Sequence, residues 1–309
     1  MSAPIVAIAG ANGKLATLIV NHLLENHPEV KIHCIARSPE KVAAALRASP
    51  NIEIFQASAS DTTALRQALK GAEVAVCCYL GDKELMVEGQ KTLINACIDE
   101  KVARYVASDW AFDYRGLQLG DHPSKDPMIH INTYLEDKEK SGEIKAVHVL
   151  NGSFMEMVLG QFNPCFQPKV HLYQYWGTGD ETMEMTTYAD AAVFTAEIAA
   201  DPSAVGFMNI LGDRKSVKQV AEAYERVYGE RLELKRLGSL DDLKNKMTVA
   251  FQEVPEDPYR WMPMFYLFHM MSGKTSLKLL HASRYPSVKP KNVEAFFKSH
   301  SKESLSSFH

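Results

Sequence analysis

The sequence predicts an α/β protein built on a doubly wound parallel β-sheet, with a smaller C-terminal region. Apolar runs of strand length alternate with stretches of helical period through the first half of the chain. A glycine-containing turn follows the first of these runs. After about residue 155 the alternation loosens and prolines punctuate shorter elements.

Six apolar runs have the length and composition of buried strands, and five stretches between them have a helical period. The predicted strands are 5–9, 32–36, 52–57, 74–78, 105–107 and 147–150, and the predicted helices are 15–24, 40–46, 62–69, 84–100 and 131–140. A later helix at 188–200 and a strand near 208–211 are expected to return to the main sheet. Crossover connections between parallel strands are right-handed, so ligands collect where the strands end.

Composition narrows the possible partners of the chain. Its 309 residues are 46% hydrophobic and 23% charged, with a net charge of -4 and no runs of basic residues, so a small-molecule substrate is expected and nucleic acid is not. The apolar stretch 259–271 contains Arg260 and Pro263 and falls short of the roughly 18 residues that suggest a membrane span. We interpret it as a pocket wall or core.

Two further expectations come from the N-terminus and the cysteines. Met1-Ser2-Ala3-Pro4 lead directly into the first strand without the pattern of a signal peptide, which predicts a cytoplasmic protein. The five cysteines form no C-x-x-C pair and have no histidine at metal-ligand spacing. Neither a disulfide framework nor a metal site is therefore expected.

The turn after the first strand has the spacing G-x-x-G-x-x-A, formed by Gly10, Gly13 and Ala16. Gly10 allows a tight turn, Gly13 allows backbone N–H groups to approach a pyrophosphate, and Ala16 allows the helix to pack closely on the strand. The N-terminus of the following helix adds unpaired donors and a positive dipole end. A strand, turn and helix in this order predict a Rossmann dinucleotide site, the alternative being an empty structural turn.

The second predicted strand ends at Arg37, where a site that prefers NAD would carry an acidic residue. An arginine favours the 2′-phosphate of NADP(H), with Lys41 as a second cation, unless Arg37 is simply a solvated loop residue. Tyr79, after the fourth strand, is expected to line the cofactor cleft. These observations predict an NADP-binding Rossmann domain at residues 1–155, with 186–211 returning to it, and a mainly substrate-binding region at 156–309.

The chain resembles the NmrA-like group, the relatives of isoflavone reductase and phenylcoumaran benzylic ether reductase, and among these the fungal members that act on secondary metabolites. The matching stretches are 10–16, 37, 68–74, 104–110, 151–155, 175–180 and 284–290. Their order along the chain is a stronger indication of the family than any one stretch alone. The resemblance implies an NADPH-binding core, with a substrate pocket above the nicotinamide. A homodimer is a further expectation.

Transferred by position, the resemblance implies three sets of cofactor contacts. The pyrophosphate would face Gly10, Asn12, Gly13, Lys14 and Leu15, the 2′-phosphate Arg37, and the nicotinamide side Asn151 and Phe154, with Tyr79 and Ser108 between. An apolar substrate pocket is predicted from Trp110, Met155 and Trp176, whose alternative is an ordinary place in the core.

The chain departs from the group at its proton-handling lysine, because His130, Ile131 and Asn132 occupy the corresponding positions. His130 is the nearest substitute, because the usual pKa of histidine suits acid–base work; the alternative is a surface or N-terminal-turn histidine without a catalytic role. A second candidate is Ser108 with Tyr134 and Lys138, a Y-x-x-x-K pair that falls on one helix face. Its alternative is a solvated, salt-bridged face.

Asp109, after the fifth strand, is a third candidate for moving a proton. The leading hypothesis is an NADPH-dependent reductase of a small aromatic or heteroaromatic metabolite, with a proton from His130 or Tyr134. One alternative is a redox-neutral acid–base enzyme that catalyses condensation, cyclisation or isomerisation and retains NADP, which the absent lysine favours. Another is an NADP-sensing regulatory protein without catalysis.

Overall fold

A computed structural model of the protein describes residues 3–160 and 162–306, so Met1 and Ser2 of the N-terminal segment lie outside the described residues. The strands are β1 Ile5–Ala9, β2 Lys31–Ala36, β3 Ile52–Gln56, β4 Val74–Cys77, β5 Arg104–Val106, β6 Lys145–Leu150, β7 Ser153–Phe154, β8 Phe166–Gln167, β9 Leu172–Trp176, β10 Thr182–Thr186, β11 Gly206–Asn209, β12 Asp213–Ser216 and β13 Glu233–Gly238. The helices are α1 Lys14–Asn26, α2 Ala44–Arg47, α3 Thr62–Leu69, α4 Gln90–Asp99, α5 Asp126–Lys140, α6 Met155–Val158, α7 Tyr188–Ala200, α8 Val217–Tyr228, α9 Leu240–Glu253, α10 Pro258–Met271 and α11 Val293–Lys298.

Seven strands form the central sheet in the order β11-β6-β5-β4-β1-β2-β3. All of their pairings are parallel, and the predicted Rossmann fold is confirmed. Strands such as β4, whose four residues are all buried, read as continuous apolar runs because helices cover both faces of the sheet. β11 pairs with β6 and so places the segment after α7 at the edge of this sheet.

The helices differ from the prediction where the local backbone interrupts the period. The predicted helix 40–46 is replaced by a 3₁₀ turn at Pro39–Lys41 and the short α2, because Val42 and Ala43 between them are extended. The segment 84–100 begins as a π-helical turn at Leu85–Gly89 before α4. α5 begins five residues earlier than predicted, with Pro127 in its first turn, where a missing N–H costs nothing.

The C-terminal half adds two three-stranded sheets, ordered β12-β10-β7 and β13-β9-β8. Its own apolar core includes Phe166, Tyr224, Phe296 and Phe297, while two further cores cover the faces of the central sheet. The division at residue 155 stays a prediction. Among the helices that the structure describes, none has both the length and the apolar character needed to cross a bilayer.

Candidate functional site

The turn after β1 is held by contacts that require glycine at position 10. Gly10 has φ +81°, and a Cβ there would lie 2.6 Å from the backbone oxygen of Cys78. The amides of Gly10 and Ala11 both donate to the Ile35 carbonyl, at 3.0 and 3.1 Å. The turn therefore crosses the end of β2 and touches the end of β4, at the carboxyl edge of the sheet.

The N-terminus of α1 opens onto the same edge without a side-chain cap. Gly13 is the N-cap residue, and no side chain in the described part of the chain accepts from the first turn. The first i→i−4 bond runs from Thr17 N to Gly13 O, at 2.9 Å. The amides of Lys14 and Leu15 precede that bond, so they and the helix dipole form a site suited to an anion.

Arg37 and Lys41, the two predicted phosphate-binding cations, are exposed beyond the end of β2. Asn12 Nδ2 donates to the Ser38 carbonyl at 3.0 Å and ties the turn to this segment. Arg37 also lies near Tyr79: burial raises the pKa of that phenol, and the Arg37 charge partly opposes the rise. The structure thus brings the turn, both cations and Tyr79 to one edge.

Tyr79 and Ser108 connect the ends of β4 and β5. The Ser108 hydroxyl donates to the Tyr79 carbonyl at 2.6 Å, and Ser108 N donates to Gln90 Oε1 at 3.2 Å. The Tyr79 ring lies beside Gly10, 3.4 Å from where a Cβ would stand. Since the Ser108 hydroxyl already donates to the backbone, its contact indicates a role in holding this loop.

Asn151, after β6, is fully buried, yet neither polar atom of its side-chain amide has a hydrogen-bond partner among the described residues. Its backbone is fixed by the bond from its N–H to Ala111 O at 3.0 Å, and by the Thr186 hydroxyl, which donates to Asn151 O at 2.7 Å. A buried amide without partners costs free energy unless a ligand satisfies it. The place of Asn151 beside a nicotinamide stays a prediction.

Phe154 stacks on Tyr188, the first residue of α7, with ring centroids 3.7 Å apart. Lys14 Nζ lies 4.9 Å from the Tyr188 ring centroid. Glu156 accepts from Tyr188 N through both carboxylate oxygens at 3.1 Å, and burial raises the pKa of Glu156. The Phe154–Tyr188 stack therefore adjoins the N-terminus of α1, and Tyr188 was missed because no sequence motif marks it.

Asp109 belongs to a closed polar cluster. Its carboxylate lies 2.6 Å from His148 Nδ1 and 3.2 Å from the Tyr114 hydroxyl, with the Asp109 and His148 side chains 2% and 3% exposed. Burial raises the pKa of Tyr114, and Asp109 adds to the rise. These contacts satisfy Asp109 inside the protein and favour a structural role.

The predicted acid–base residues of α5 lie apart from the cleft contacts. The Tyr134 hydroxyl donates to Asn95 Oδ1 at 2.6 Å, and Lys138 Nζ pairs with Glu143 at 3.2 Å. Ile131 and Leu135 occupy the inward face of the helix instead. His130 is half-buried on α5. The structure does not join Tyr134 and Lys138 through a polar bond to Ser108, and catalysis by these residues stays a prediction.

The three predicted substrate residues are part of the packed interior. Trp110 has φ +39°, and its indole N–H donates to the Thr195 hydroxyl at 2.9 Å. Met155 is completely buried in the C-terminal core. Trp176 belongs to the same core, with Lys246 Nζ 5.6 Å from its ring centroid. Their packing favours the core alternative, and their contact with a substrate stays a prediction.

Sequence reasoning also missed a lysine that stands at the start of α5. Lys125 is only 3% exposed, and its Nζ donates to the Tyr266 hydroxyl at 2.9 Å. The same ammonium lies 5.1 Å from the Phe112 ring centroid and 4.8 Å from that of Tyr266. The contacts described for Lys125 give it aromatic and phenolic neighbours in place of a carboxylate. A buried cation arranged in this way is a marker of a functional site.

His122 completes this group, which we call the Lys125 cluster: His122, Ser124, Lys125, Tyr266 and His269. His122 is fully buried, its Nδ1 lies 3.1 Å from the Ser124 hydroxyl, and its Nε2 has no partner among the described residues. Burial, then the charges of Lys125 and His269, hold the pKa of His122 well below its usual range. The imidazole is therefore neutral at physiological pH.

A separate group joins α1 to α7 away from the cleft. His22 Nε2 and His27 Nε2 lie 2.9 and 3.1 Å from the same Glu197 oxygen, in an arrangement of three possible metal ligands. Two neutral imidazoles can each donate an N–H to that carboxylate. The Glu197 carboxylate and the two imidazoles thus satisfy one another without an ion. The absence of a metal site stays a prediction.

The fold and the carboxyl-edge geometry define a Rossmann α/β protein with a dinucleotide-type turn after its first strand. The sequence profile of the NmrA-like family matches residues 3–297. The protein therefore belongs to the NmrA-like family.

Solved structures and one curated relative are similar over different lengths. An isoflavone reductase is 15% identical with a TM-score of 0.80, covering 96% of this chain and 98% of that one. A leucoanthocyanidin reductase from Vitis vinifera, solved with NADPH, is 17% identical with a TM-score of 0.77 over 96% and 98%. An NmrA-like family domain-containing oxidoreductase of Gibberella moniliformis is 25% identical over 161 residues, which are 51% of this chain and 52% of that relative. The matched region thus spans about half of that relative.

Proposed function

We propose that this protein is an NADP(H)-dependent reductase of a small aromatic metabolite. The observation that carries the proposal is that the dinucleotide turn follows β1, while the Lys125 cluster contacts Phe112, the residue after the bridge between Ala111 and Leu150 at the carboxyl end of β6. In such folds ligands bind at the carboxyl ends of the strands. The solved leucoanthocyanidin reductase, which has the same fold and contains NADPH, supports the choice of cofactor.

The residues present fit such a cofactor. The uncapped amides at Lys14 and Leu15 would receive the pyrophosphate, Arg37 the 2′-phosphate, and Asn151 with Phe154 the nicotinamide side. When bound, a reduced nicotinamide supplies a hydride. The chain itself must then exclude water, hold the substrate and provide a proton.

The rings around the Lys125 cluster favour an aromatic substrate. Phe112 lies edge-on to Tyr266 with ring centroids 5.8 Å apart, and His122 is edge-on to Phe265 and Tyr266 at 5.6 and 4.8 Å. Planar apolar surfaces with few polar groups suit an aromatic ring that carries a carbonyl or conjugated double bond.

The proposal is tested in two stages. NADPH and NADH are first titrated against the purified protein by nicotinamide fluorescence, and we expect NADPH to bind more tightly. Nicotinamide absorbance is then followed with a panel of aromatic carbonyl compounds and quinones, with product measured in parallel. Equal consumption of NADPH and formation of reduced product supports the reductase. Product without loss of absorbance, or binding without turnover of any compound, would contradict it.

A further inference from the structure

We propose that Tyr266 is the proton donor of this site, with Lys125 and Ser124 as the residues that set its acidity. This assignment rests on the proposed reductase function, but its central test does not require turnover. Tyr266 lies on α10 and Lys125 immediately before α5, so 141 positions separate the pair in sequence.

The hydrogen bonds at the phenol oxygen leave its proton free for a substrate. Lys125 Nζ donates to this oxygen at 2.9 Å, and the Ser124 hydroxyl donates to it at 3.3 Å. A phenol has two acceptor lone pairs and one O–H donor. Because both lone pairs are engaged, the O–H is the remaining polar function and is available to an incoming carbonyl oxygen.

The cation at Lys125 stabilises the deprotonated form of its neighbour. Burying an ammonium costs free energy unless nearby groups compensate, and here the compensation comes from two ring faces and the phenol oxygen. Burial opposes ionisation of Tyr266, but the charge and hydrogen bond of Lys125, with the bond from Ser124, outweigh it and lower the phenol pKa below its usual range.

The other titratable groups facing Tyr266 do not add a competing charge at neutral pH. Burial lowers the pKa of His269, and His122 is neutral for the reasons given above. On α7, burial together with Glu156 and Tyr266 raises the pKa of Tyr188 to about 12, so Tyr188 stays protonated. Lys125 is thus the charged group that dominates the surroundings of Tyr266.

A contact of α10 brings Tyr266 close to the predicted cofactor contacts: the Ser153 hydroxyl donates to Met270 Sδ at 2.9 Å, one helical turn beyond Tyr266, and Phe154 follows Ser153. Tyr266 is near enough to affect Tyr188, whose ring stacks on Phe154 and carries Lys14 above it. Tyr266 therefore lies near the predicted nicotinamide side, and its ring packs edge-on against Phe112 and His122.

The step balances as follows. After a carbonyl carbon has accepted a hydride from a reduced nicotinamide, its oxygen requires one proton. The Tyr266 O–H bond breaks, its proton passes to that oxygen, and its electron pair remains on the phenolate, which Lys125 and Ser124 hold. Tyr266 is only partly buried, so solvent returns the proton after the alcohol leaves.

The test measures tyrosinate absorbance during a pH titration of the nucleotide-free protein. Subtracting the Tyr266→Phe curve from that of the native protein isolates one of the 12 tyrosines. We expect its ionisation below the usual tyrosine range, and an upward shift of about one to two pH units in Lys125→Met, since a neighbouring opposite charge is worth that much. Ser124→Ala, a milder variant, should shift it less. Tyr259→Phe and Lys140→Met, whose native side chains are exposed, serve as matched controls and should leave the Tyr266 ionisation unchanged.

The second readout uses phenanthrenequinone and aromatic aldehydes as probe substrates. Tyr266→Phe should lower kcat by about 10²–10⁴-fold, with the Kd for NADPH unchanged. The assignment is overturned if the low-pH ionisation persists in Tyr266→Phe, if Lys125→Met does not move it, or if Tyr266→Phe retains full kcat. If the native protein oxidises no NADPH with any probe, the proposed function fails, whereas the titration still decides the Lys125–Tyr266 coupling.

Discussion

Replacing Gly10 by alanine tests how closely the dinucleotide turn is built against its neighbours. The new Cβ would stand 2.6 Å from Cys78 O and 3.0 Å from Cys78 C, both backbone atoms at the end of β4. Neither atom belongs to a flexible side chain, so the turn or the strand must move. Gly10 also has φ +81°, where an L-residue is strained.

Two terms contribute to the expected loss of stability. The left-handed backbone costs about 1–2 kcal/mol for a residue with a Cβ. Forcing an extra carbon into a packed site costs a further ~1–3 kcal/mol. Gly10→Ala should therefore lower the free energy of unfolding by about 2–5 kcal/mol, and the displaced amides should weaken NADPH binding as well.

Gly142→Ala is the matched control. Gly142 has φ +73°, and no heavy atom of the described residues lies within 4 Å of its added Cβ. This variant has the same strain and the same unfolded-state effect, but no clash. Urea unfolding of both variants, with NADPH titration, isolates the clash. If Gly10→Ala were no less stable than Gly142→Ala and bound NADPH normally, the close approach to β4 would be refuted.

Three further predictions concern charge. In calorimetric titration, Arg37→Ala should weaken NADPH binding by about 10–100-fold, which is the contribution of a charge-assisted hydrogen bond, and should leave NADH binding unaffected. An equal loss for both nucleotides, or a similar loss in the exposed control Lys145→Ala, would contradict the 2′-phosphate assignment. His148→Ala leaves the buried Asp109 carboxylate with the Tyr114 hydroxyl as its remaining described partner, so urea unfolding should show a loss of about 3–5 kcal/mol. Lys140→Ala, from a pair whose side chains are 73% and 71% exposed, should change little. Although partial burial opposes ionisation, hydrogen bonds from Ser203 and Arg284 lower the pKa of Asp201 to about 2. A lowered carboxyl pKa stabilises the fold at pH values above the unfolded pKa of 3.8, and this stabilisation is lost as the pH falls towards 2. Asp201→Asn should therefore flatten the stability–pH curve between these values, and an unchanged slope would rule out the contribution.

The parts of the fold that sequence predicted are those governed by local period. The run 5–9 and the helix 62–69 match β1 and α3 in full. An apolar run of strand length is a short-range signal, and so is Asp61, whose side chain caps α3 by accepting from Ala64 N. The segment 40–46 failed because its period continued through Val42 and Ala43, which are extended. Periodicity alone does not detect such an interruption.

The residues of the candidate site were harder to predict from the sequence, because residues far apart in the chain meet there only through tertiary contacts. Tyr134 and Lys138 attract notice by their spacing, yet Ile131 and Leu135 take the inward face of α5. Lys125 and Tyr266 have no mutual spacing to recognise, and Tyr266 lies in a stretch interpreted as a pocket wall or core. A buried lysine becomes visible only when burial is known.

The hydrogen bond between Lys125 and Tyr266 joins two different parts of the fold. Lys125 stands at the start of α5, which packs on β6 of the central sheet, whereas Tyr266 lies on α10, which packs on α9 and β10. Proton transfer from Tyr266 therefore requires α10 to be packed in place. A local opening of α10 would stop this proton transfer but leave the affinity for the nucleotide unchanged. Substitutions under α10 could in this way tune turnover without altering the dinucleotide half.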